Sequence, residues 1–492
     1  MKKVKSIKFN FIMNLIRVLM TILFPLITYP YATRVLHSSG LGRATYVASI
    51  ISYFQLIASF GINNYAITEG AKIRDNKQKL NRFVSEMFFI NLISTVIAYL
   101  SFGVFLFIPK FEGYHFLLLI SSTSILFATL GMEWLYELLE EYRYITLRSI
   151  AFQIISLVAL FIVVRDEGDL AWYVALTAIS TAGSGVLNFF HSRKYVHLFG
   201  EKIEFSSVKK HIKPMVYMFG VSIASVIYLN SDITMLGLMR NDAEVGIYSA
   251  ATKMNQVLCT LIKSLSTVIM ARLAYYIEMK QKENFERLLR KAFGVMLMLI
   301  VPCMVGMWLI ASEIILLIAG KEFLDAVTPE RIMVLNLFFS PINGFIAYQI
   351  FMPYKKEKII FWATCGGAVT NLIINFILIP RYSYNGAAIA TVIAEGIVMV
   401  ISLILGRKLF NMWEMLKGGW QYMIACVPMI LVYILVPGST FSAYLVYMFF
   451  MIVIGVASYF LTLLLMKNEI VLEEWNKVKI ITKNIVSRKK RG

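Results

Sequence analysis

The feature that most constrains this chain is a succession of long apolar stretches that runs through almost all of its 492 residues. Each stretch is about 20 residues long, the length that an α-helix needs to cross the hydrocarbon core of a bilayer. Hydrophobic residues make up 59% of the chain, and the mean hydropathy is +0.70. The chain is therefore predicted to be an all-α polytopic membrane protein with about fourteen transmembrane helices.

The basic residues predict the orientation of these helices. With the amino terminus in the cytoplasm, 37 of the 48 Lys and Arg residues fall in cytoplasmic segments and 7 in outer loops. Because cytoplasmic loops are normally enriched in Lys and Arg, the chain is predicted to lie in the cytoplasmic membrane with both termini on the cytoplasmic side. The basic stretch at positions 1–8 is interpreted as the start of a retained helix and not as a cleaved signal. The scattered positive charge, +19 in total, suits anionic membrane lipids and argues against a nucleic-acid partner.

A polar stripe recurs in two of the apolar stretches. Its residues are spaced three or four apart, which places them on one helix face: Ser249, Lys253, Gln256, Thr260, Lys263 and Thr267, and, 204 residues earlier, Thr45, Ser49, Ser52, Leu56, Ser59 and Asn63. We therefore expect two related six-helix lobes, 1–192 and 214–410, joined by a cytoplasmic linker 193–213. The two extra helices and the basic tail fall in 411–492. In such repeats the substrate site lies between the halves.

Four basic residues are predicted to lie within spans. They are Arg17, Arg34, Lys253 and Lys263, and Gln256 shares the face of the two lysines. Charges inside a bilayer are costly unless they face protein or water, so these residues are candidates for a cationic, phosphate-binding cavity. Snorkelling or internal salt bridges are the alternative interpretation. Glu133 and Glu137 share one helix face and are expected to pair with Arg143 or Arg148.

A second set of polar residues is predicted at similar depths of three spans. Asp232, the pair Asn371 and Asn375, and the pair Thr391 and Glu395 offer oxygen atoms there. Such oxygens suit a hard cation such as Na⁺, and a buried carboxylate suits a proton relay. Hydrogen bonds between helices are the alternative explanation.

The sequence carries no recognisable enzyme motif. It has no glycine-rich phosphate loop and no nucleophile–histidine–acid set, and its five histidines have no metal-ligand spacing. The four cysteines all fall within apolar spans and are interpreted as packing residues. We therefore expect no catalytic residue, no cofactor and no metal beyond a coupling ion.

Several short motifs resemble those of bacterial polysaccharide flippases. They cover about residues 7–410 and include Tyr31-Ala32-Thr33-Arg34-Val35-Leu36, Gly40-Leu41-Gly42, Phe60-Gly61-Ile62, Trp134-Leu135-Tyr136, Tyr228-Leu229-Asn230-Ser231-Asp232 and Val245-Gly246-Ile247-Tyr248-Ser249-Ala250. This family carries O-antigen and capsule repeat units and shares a superfamily with multidrug exporters and lipid II flippases. The resemblance implies two lobes in a V around a cationic cavity.

The resemblance also implies particular site residues. Lipid II flippases have a sodium site that maps onto Asp232, Asn371, Asn375, the carbonyl of Ala387 and Thr391. Asn375 stands where that site has a second carboxylate, which Glu395 would have to replace. Lipid II flippases also have cavity arginines on their first, second and eighth helices. In this chain Arg17 and Lys253 lie on comparable helices, and the second helix offers only Arg43 at its outer start.

The predicted function is that of a monomeric flippase for a lipid-linked glycan. It would move an undecaprenyl-diphosphate-linked oligosaccharide, or a teichoic-acid precursor, from the inner to the outer leaflet by alternating access, driven by Na⁺, H⁺ or the membrane potential. One alternative is a multidrug exporter of the same fold, which would favour a carboxylate-lined cavity. A polysaccharide polymerase is another, but such enzymes usually have a large outer catalytic loop, and this sequence has none.

Overall fold

The fold is known here from a computed structural model that describes residues 7–198, 205–267, 269–436 and 444–473. Within these ranges every regular element is helical and none is a strand, which confirms the all-α class. The basic tail predicted beyond residue 473 and the side chain of Thr267 lie outside what is described.

The helices follow one another with short connections. In chain order they are α1 (Ile7–Ser59), α2 (Ile62–Ile73), α3 (Lys77–Leu106), α4 (His115–Gly131), α5 (Glu133–Leu138), α6 (Tyr142–Val163), α7 (Leu170–Ala178), α8 (Gly185–Ser192), α9 (Phe205–Met239), α10 (Asp242–Thr267), α11 (Met270–Glu278), α12 (Lys282–Leu309), α13 (Ala311–Ile318), α14 (Val327–Met333), α15 (Asn336–Phe345), α16 (Glu357–Gly406), α17 (Met412–Leu416), α18 (Trp420–Ala425), α19 (Val427–Leu435) and α20 (Tyr444–Leu465).

Ten helical segments of the described chain are long and apolar enough to cross a membrane, or eleven if the bent pair Lys321–Met333 and Asn336–Phe351 is one span. Two of the ten, Ile12–Ile73 and Glu357–Gly406, are 62 and 50 residues long. A helix rises about 1.5 Å per residue, so each is long enough for two crossings. The charged helix α10 is not among the ten. The count of fourteen therefore stays a prediction.

The helix α1, which makes up most of the first of these segments, and the helix α16, which is the second, each contain one residue with a left-handed backbone. In α1 this residue is His37, with φ 56°, and in α16 it is Ser383, with φ 52°. Non-glycine residues rarely adopt this conformation, so neighbouring contacts must hold it. At His37, the carboxylate of Glu322 contacts the imidazole Nδ1 at 2.6 Å and accepts the Ser38 backbone N–H at 2.9 Å.

The residue contacts divide the described chain into two compact units. The first comprises the residues up to Ser249 with Ile318–Glu322 and Asn375–Tyr384, and the second comprises the rest. The helix α9 belongs to the first unit because it packs along α1 and α2. This grouping differs from the expected boundary at residues 193–213, so the two six-helix lobes and their linker stay a prediction.

Two glycines allow α1 and α10 to approach closely within the first unit. A Cβ atom on Gly42 would lie 1.7 Å from the carbonyl oxygen of Asp242, and one on Gly246 would lie 2.0 Å from that of Ser38. Any side chain here would push two backbones apart, as in other membrane helix pairs that meet through small residues. These glycines are the ones that occupy equivalent positions in the sequence repeat.

The second unit is built around α12. Its buried core includes Phe293 from α12, Phe345 from α15 and Leu463 from α20. The hydroxyl of Tyr459 on α20 donates to the carbonyl of Met298 on α12 at 2.9 Å. The helices of the predicted segment 411–492 that the structure describes are thus packed against this unit.

Candidate functional site

The polar stripe of α10 lies on a continuous helix, as its spacing predicts. Ser249 is buried, Lys253 and Lys263 are half-buried, and Gln256 and Thr260 are exposed. The Ser249 hydroxyl is 2.9 Å from that of Tyr29 within the first unit. Exposed amide and hydroxyl groups in the middle of an apolar protein are poorly accommodated by lipid tails, so this face is suited to a water-filled space.

Lys263 is held in place by its contacts inside the second unit. Its ammonium group donates to the Ser340 hydroxyl at 2.8 Å. Its methylene groups pack against Gly344, where an added Cβ atom would lie 3.4 Å from the Lys263 Cε atom. In the part of the chain that the structure describes, no carboxylate lies within 4.0 Å of this ammonium group.

The buried side of α10 is also fixed by hydrogen bonds in the second unit. Asn255, with 1% of its surface exposed, donates to the carbonyl of Met333 at 2.6 Å. Asn336 donates to the Asn255 amide oxygen at 3.4 Å. These bonds fix the rotation of α10 and thereby the direction in which its stripe faces.

Arg17 is paired with carboxylates inside the first unit. Its guanidinium contacts Glu133 at 2.7 Å and Glu137 at 2.9 Å. Arg148 also approaches Glu133, at 3.9 Å. The expected pairing with Arg148 is therefore found but is the weaker one. For Arg17, the internal salt bridge that the sequence left open is realised, and its charge is compensated in this conformation.

Arg34 is exposed and its guanidinium donates to the backbone carbonyl of Pro30, one turn earlier in α1. Its neighbour Thr33 is buried and donates to the carbonyl of Ile318 at 3.2 Å. The threonine therefore anchors this end of the helix, and the arginine is left at the surface of the unit. On the uncharged stripe of α1, Ser49 is buried and accepts a hydrogen bond from Thr234 of α9 at 3.1 Å.

Asp232 and Asn375, both predicted cation ligands, meet in the first unit. Asp232 is 7% exposed, and one of its carboxylate oxygens accepts the Asn375 amide N–H at 2.6 Å. The other accepts the hydroxyl of Tyr248 at 2.8 Å. Tyr248 was not among the predicted site residues, because it lies one residue before the α10 stripe and outside its spacing.

The remaining predicted ligands belong to the second unit. The Thr391 hydroxyl donates at 3.1 Å to the carbonyl of Ala387, the oxygen that the family resemblance assigns to the ion. Glu395 is 7% exposed and accepts the Asn343 amide at 2.6 Å. Asn371 is buried in α16. The convergence of all six residues on one ion stays a prediction.

Sequence reasoning missed the partners on α15. Asn336, Ser340 and Asn343 are spaced four and three apart and are all buried. They bind Asn255, Lys263 and Glu395 respectively. The same periodicity that identified the α10 stripe would have revealed this polar face.

The chain is similar to known protein families and to curated proteins. The family model described as "Polysaccharide biosynthesis protein" matches residues 7–274, and the MatE model matches residues 218–377. The putative O-antigen transporter of Shigella dysenteriae is 21% identical over 77% of this chain and 95% of its own length. That of Escherichia coli (strain K12) is 22% identical over 78% and 93% respectively.

A solved structure shares the fold. The structure titled "Lipid II flippase MurJ, inward closed conformation" superposes with a TM-score of 0.74 and 19% sequence identity. The match covers 93% of this chain and 99% of that one. At this identity the likeness establishes the fold alone.

The pairing of Arg17 predicts a compensating set of substitutions. Arg17→Ala should destabilise the protein by about 1.5–3 kcal/mol, because two carboxylates lose a charged hydrogen-bond donor. Adding Glu133→Gln and Glu137→Gln should restore most of this loss, since no uncompensated charge remains. The measurement is the thermal unfolding midpoint of the purified protein in detergent.

Arg143→Ala is the matched control. Arg143 is exposed, and no described carboxylate lies within 4.0 Å of it, so its loss should leave the midpoint unchanged. If the triple variant is as unstable as Arg17→Ala alone, Arg17 is not held by these carboxylates.

Proposed function

The chain belongs to the polysaccharide biosynthesis protein family, and from this premise we propose that it is a flippase for a lipid-linked glycan. It moves an undecaprenyl-diphosphate-linked oligosaccharide, or a teichoic-acid precursor, from the inner to the outer leaflet of the cytoplasmic membrane. No bond is made or broken in this step. The names of the O-antigen transporters support the class of cargo.

The observation that carries the proposal is the polar face of α10. Lys253 and Lys263 place two ammonium groups on a helix inside the membrane protein, beside the exposed Gln256 and Thr260. Ammonium groups are natural partners of phosphate, while amide and hydroxyl groups bind sugar hydroxyls. A substrate that joins a diphosphate to an oligosaccharide uses both kinds of group.

The basic residues of α1 enter this proposal differently. Arg34 is exposed and offers a further positive charge to the anion. Arg17 is paired with Glu133 and Glu137. It would bind phosphate only in a conformation that separates it from these two carboxylates. The cationic cavity of the proposal therefore rests mainly on Lys253 and Lys263.

We propose that transport is coupled to an ion through Asp232. A buried carboxylate in a membrane protein commonly marks an ion or proton pathway. Asn375 presents its N–H to Asp232 here, and a rotation of the amide would present its oxygen instead. Asn371, Thr391, Glu395 and the Ala387 carbonyl would supply further oxygens, which suits Na⁺, and protonation of Asp232 suits H⁺.

A multidrug exporter is the second candidate function, because the MatE model matches residues 218–377. Exporters of organic cations are expected to present carboxylates to their cargo. On the stripe of α10 the charged residues are two lysines, so this surface would repel organic cations. The charge therefore favours the glycan flippase.

The glycan proposal predicts which lipid accumulates without the protein. Deletion of the gene should strand undecaprenyl-diphosphate-linked oligosaccharide, or a lipid-linked teichoic precursor, as detected by mass spectrometry of extracted lipids. Lys253→Arg should restore export better than Lys253→Ala, because a phosphate contact needs the charge. Lys358→Ala, which changes an exposed lysine at the start of α16, should restore export fully. Accumulation of organic cations with normal lipid-linked glycans would favour the exporter.

The coupling proposal predicts a different phenotype for Asp232. Asp232→Asn should remove the dependence of transport on a Na⁺ or H⁺ gradient in reconstituted vesicles, since the amide cannot carry the charge. Tyr248→Phe, which removes a hydrogen bond to the same carboxylate and keeps the charge, should retain gradient dependence. Equal gradient dependence in Asp232→Asn and the unmodified protein would make Asp232 a structural residue.

A further inference from the structure

A second basic site lies in the second unit, away from the α10 stripe. It is a bowl with a volume of about 1000 Å³, formed by α11, the first half of α12, α17 and α18 with the turn between them, and residues 467–473, which follow α20. Six basic side chains line it: Arg272, Arg287, Arg290, Lys291, Lys417 and Lys467. We refer to this cavity as the basic bowl.

The floor of the bowl is packed and mainly buried. Gly294 of α12 allows the close approach of Ile470, since a Cβ there would lie 2.6 Å from the Ile470 side chain. Tyr422 and Asn468 are 4% and 5% exposed, and the Asn468 amide donates to Gln421. At the rim, Gly418 has φ +90° and so allows the tight turn that follows Lys417. The cavity is thus built by the fold from four separate segments.

The charges of the bowl are only partly compensated. Four carboxylates also line it, from Glu283, Glu414, Glu469 and Glu473, and Glu473 is ion-paired with Lys291. Among the described residues, no carboxylate lies within 4.0 Å of Arg290, Lys417 or Lys467. The enrichment of Lys and Arg in cytoplasmic segments explains why basic residues lie on the predicted cytoplasmic side of the membrane. It does not explain why they surround a cavity.

Exposed aromatic side chains indicate the depth of the bowl in the membrane. Trp413 and Trp420 flank its lining residues in sequence and are 84% and 57% exposed. Tyr275, beside the lining residue Tyr276, is 51% exposed. Tryptophan and tyrosine concentrate at the level of the lipid headgroups. A ligand of the bowl would therefore meet the surface of the bilayer.

We propose that the basic bowl binds the phosphate headgroup of an anionic membrane phospholipid at the cytoplasmic surface. Basic pockets between membrane helices are suited to such headgroups, and each nearby Lys or Arg strengthens the attraction. The bowl shares no residue with the α10 stripe, so this inference is independent of the proposed transport function.

The test is lipid binding by the purified full-length protein in an uncharged detergent. Native mass spectrometry should show retention of phosphatidylglycerol in preference to phosphatidylcholine. The triple variant Arg290→Gln, Lys417→Gln, Lys467→Gln should bind phosphatidylglycerol about 100-fold more weakly, at roughly fivefold for each lost charge. Its thermal unfolding midpoint should not change, because all three residues are exposed.

A matched triple variant separates the bowl from general surface charge. The control removes the same number of charges from exposed positions outside the bowl, through Lys355→Gln, Lys356→Gln and Lys358→Gln. If binding is local, this variant should change the affinity for phosphatidylglycerol less than about threefold. Equal losses in the two triple variants would overturn the proposal.

Inorganic pyrophosphate should compete only weakly with phosphatidylglycerol for the bowl. If it displaces the lipid at micromolar concentration, the bowl is a site for a soluble phosphate compound instead.

Discussion

The cost of placing charge inside a bilayer governs the arrangement of this protein. A lysine in the membrane must face protein or water, and α10 carries two of them on one face. Asn255, on the buried side of α10, donates to the carbonyl of Met333 in α14. Lys263 donates to the Ser340 hydroxyl of α15. Because these bonds set the rotation of the helix, Gln256 and Thr260 are presented away from the buried core.

The same constraint distinguishes a charge that is paired with carboxylates from one that is not. Arg17 is satisfied by Glu133 and Glu137, so it holds helices α1 and α5 together at little net cost. Among the described residues, Lys263 donates to the Ser340 hydroxyl and has no carboxylate within 4.0 Å, so its charge stays available to the proposed substrate. Two cationic residues that look alike in the sequence therefore differ in what they can bind.

The all-α class and the polar face of α10 could be predicted from the sequence because both depend on local periodicity. The left-handed backbone at His37 and Ser383 could not, because contacts from distant segments such as Glu322 hold it. The grouping of α9 with the first unit depends on packing against α1 and α2, which hydropathy does not report. Tyr248 was missed for the same reason: its role depends on its distance to Asp232 and not on its spacing in a helix.

The central claim is that the protein transfers an intact lipid-linked glycan across the bilayer. The most direct measurement uses purified protein in vesicles that contain a labelled undecaprenyl-diphosphate oligosaccharide, with an impermeant reagent reporting the fraction exposed on the far leaflet. The account predicts that the protein accelerates transfer, that Lys253→Ala largely abolishes this acceleration, and that the mass of the glycan lipid is unchanged. Transfer no faster than in protein-free vesicles, or a glycan that is cleaved or extended, would contradict it.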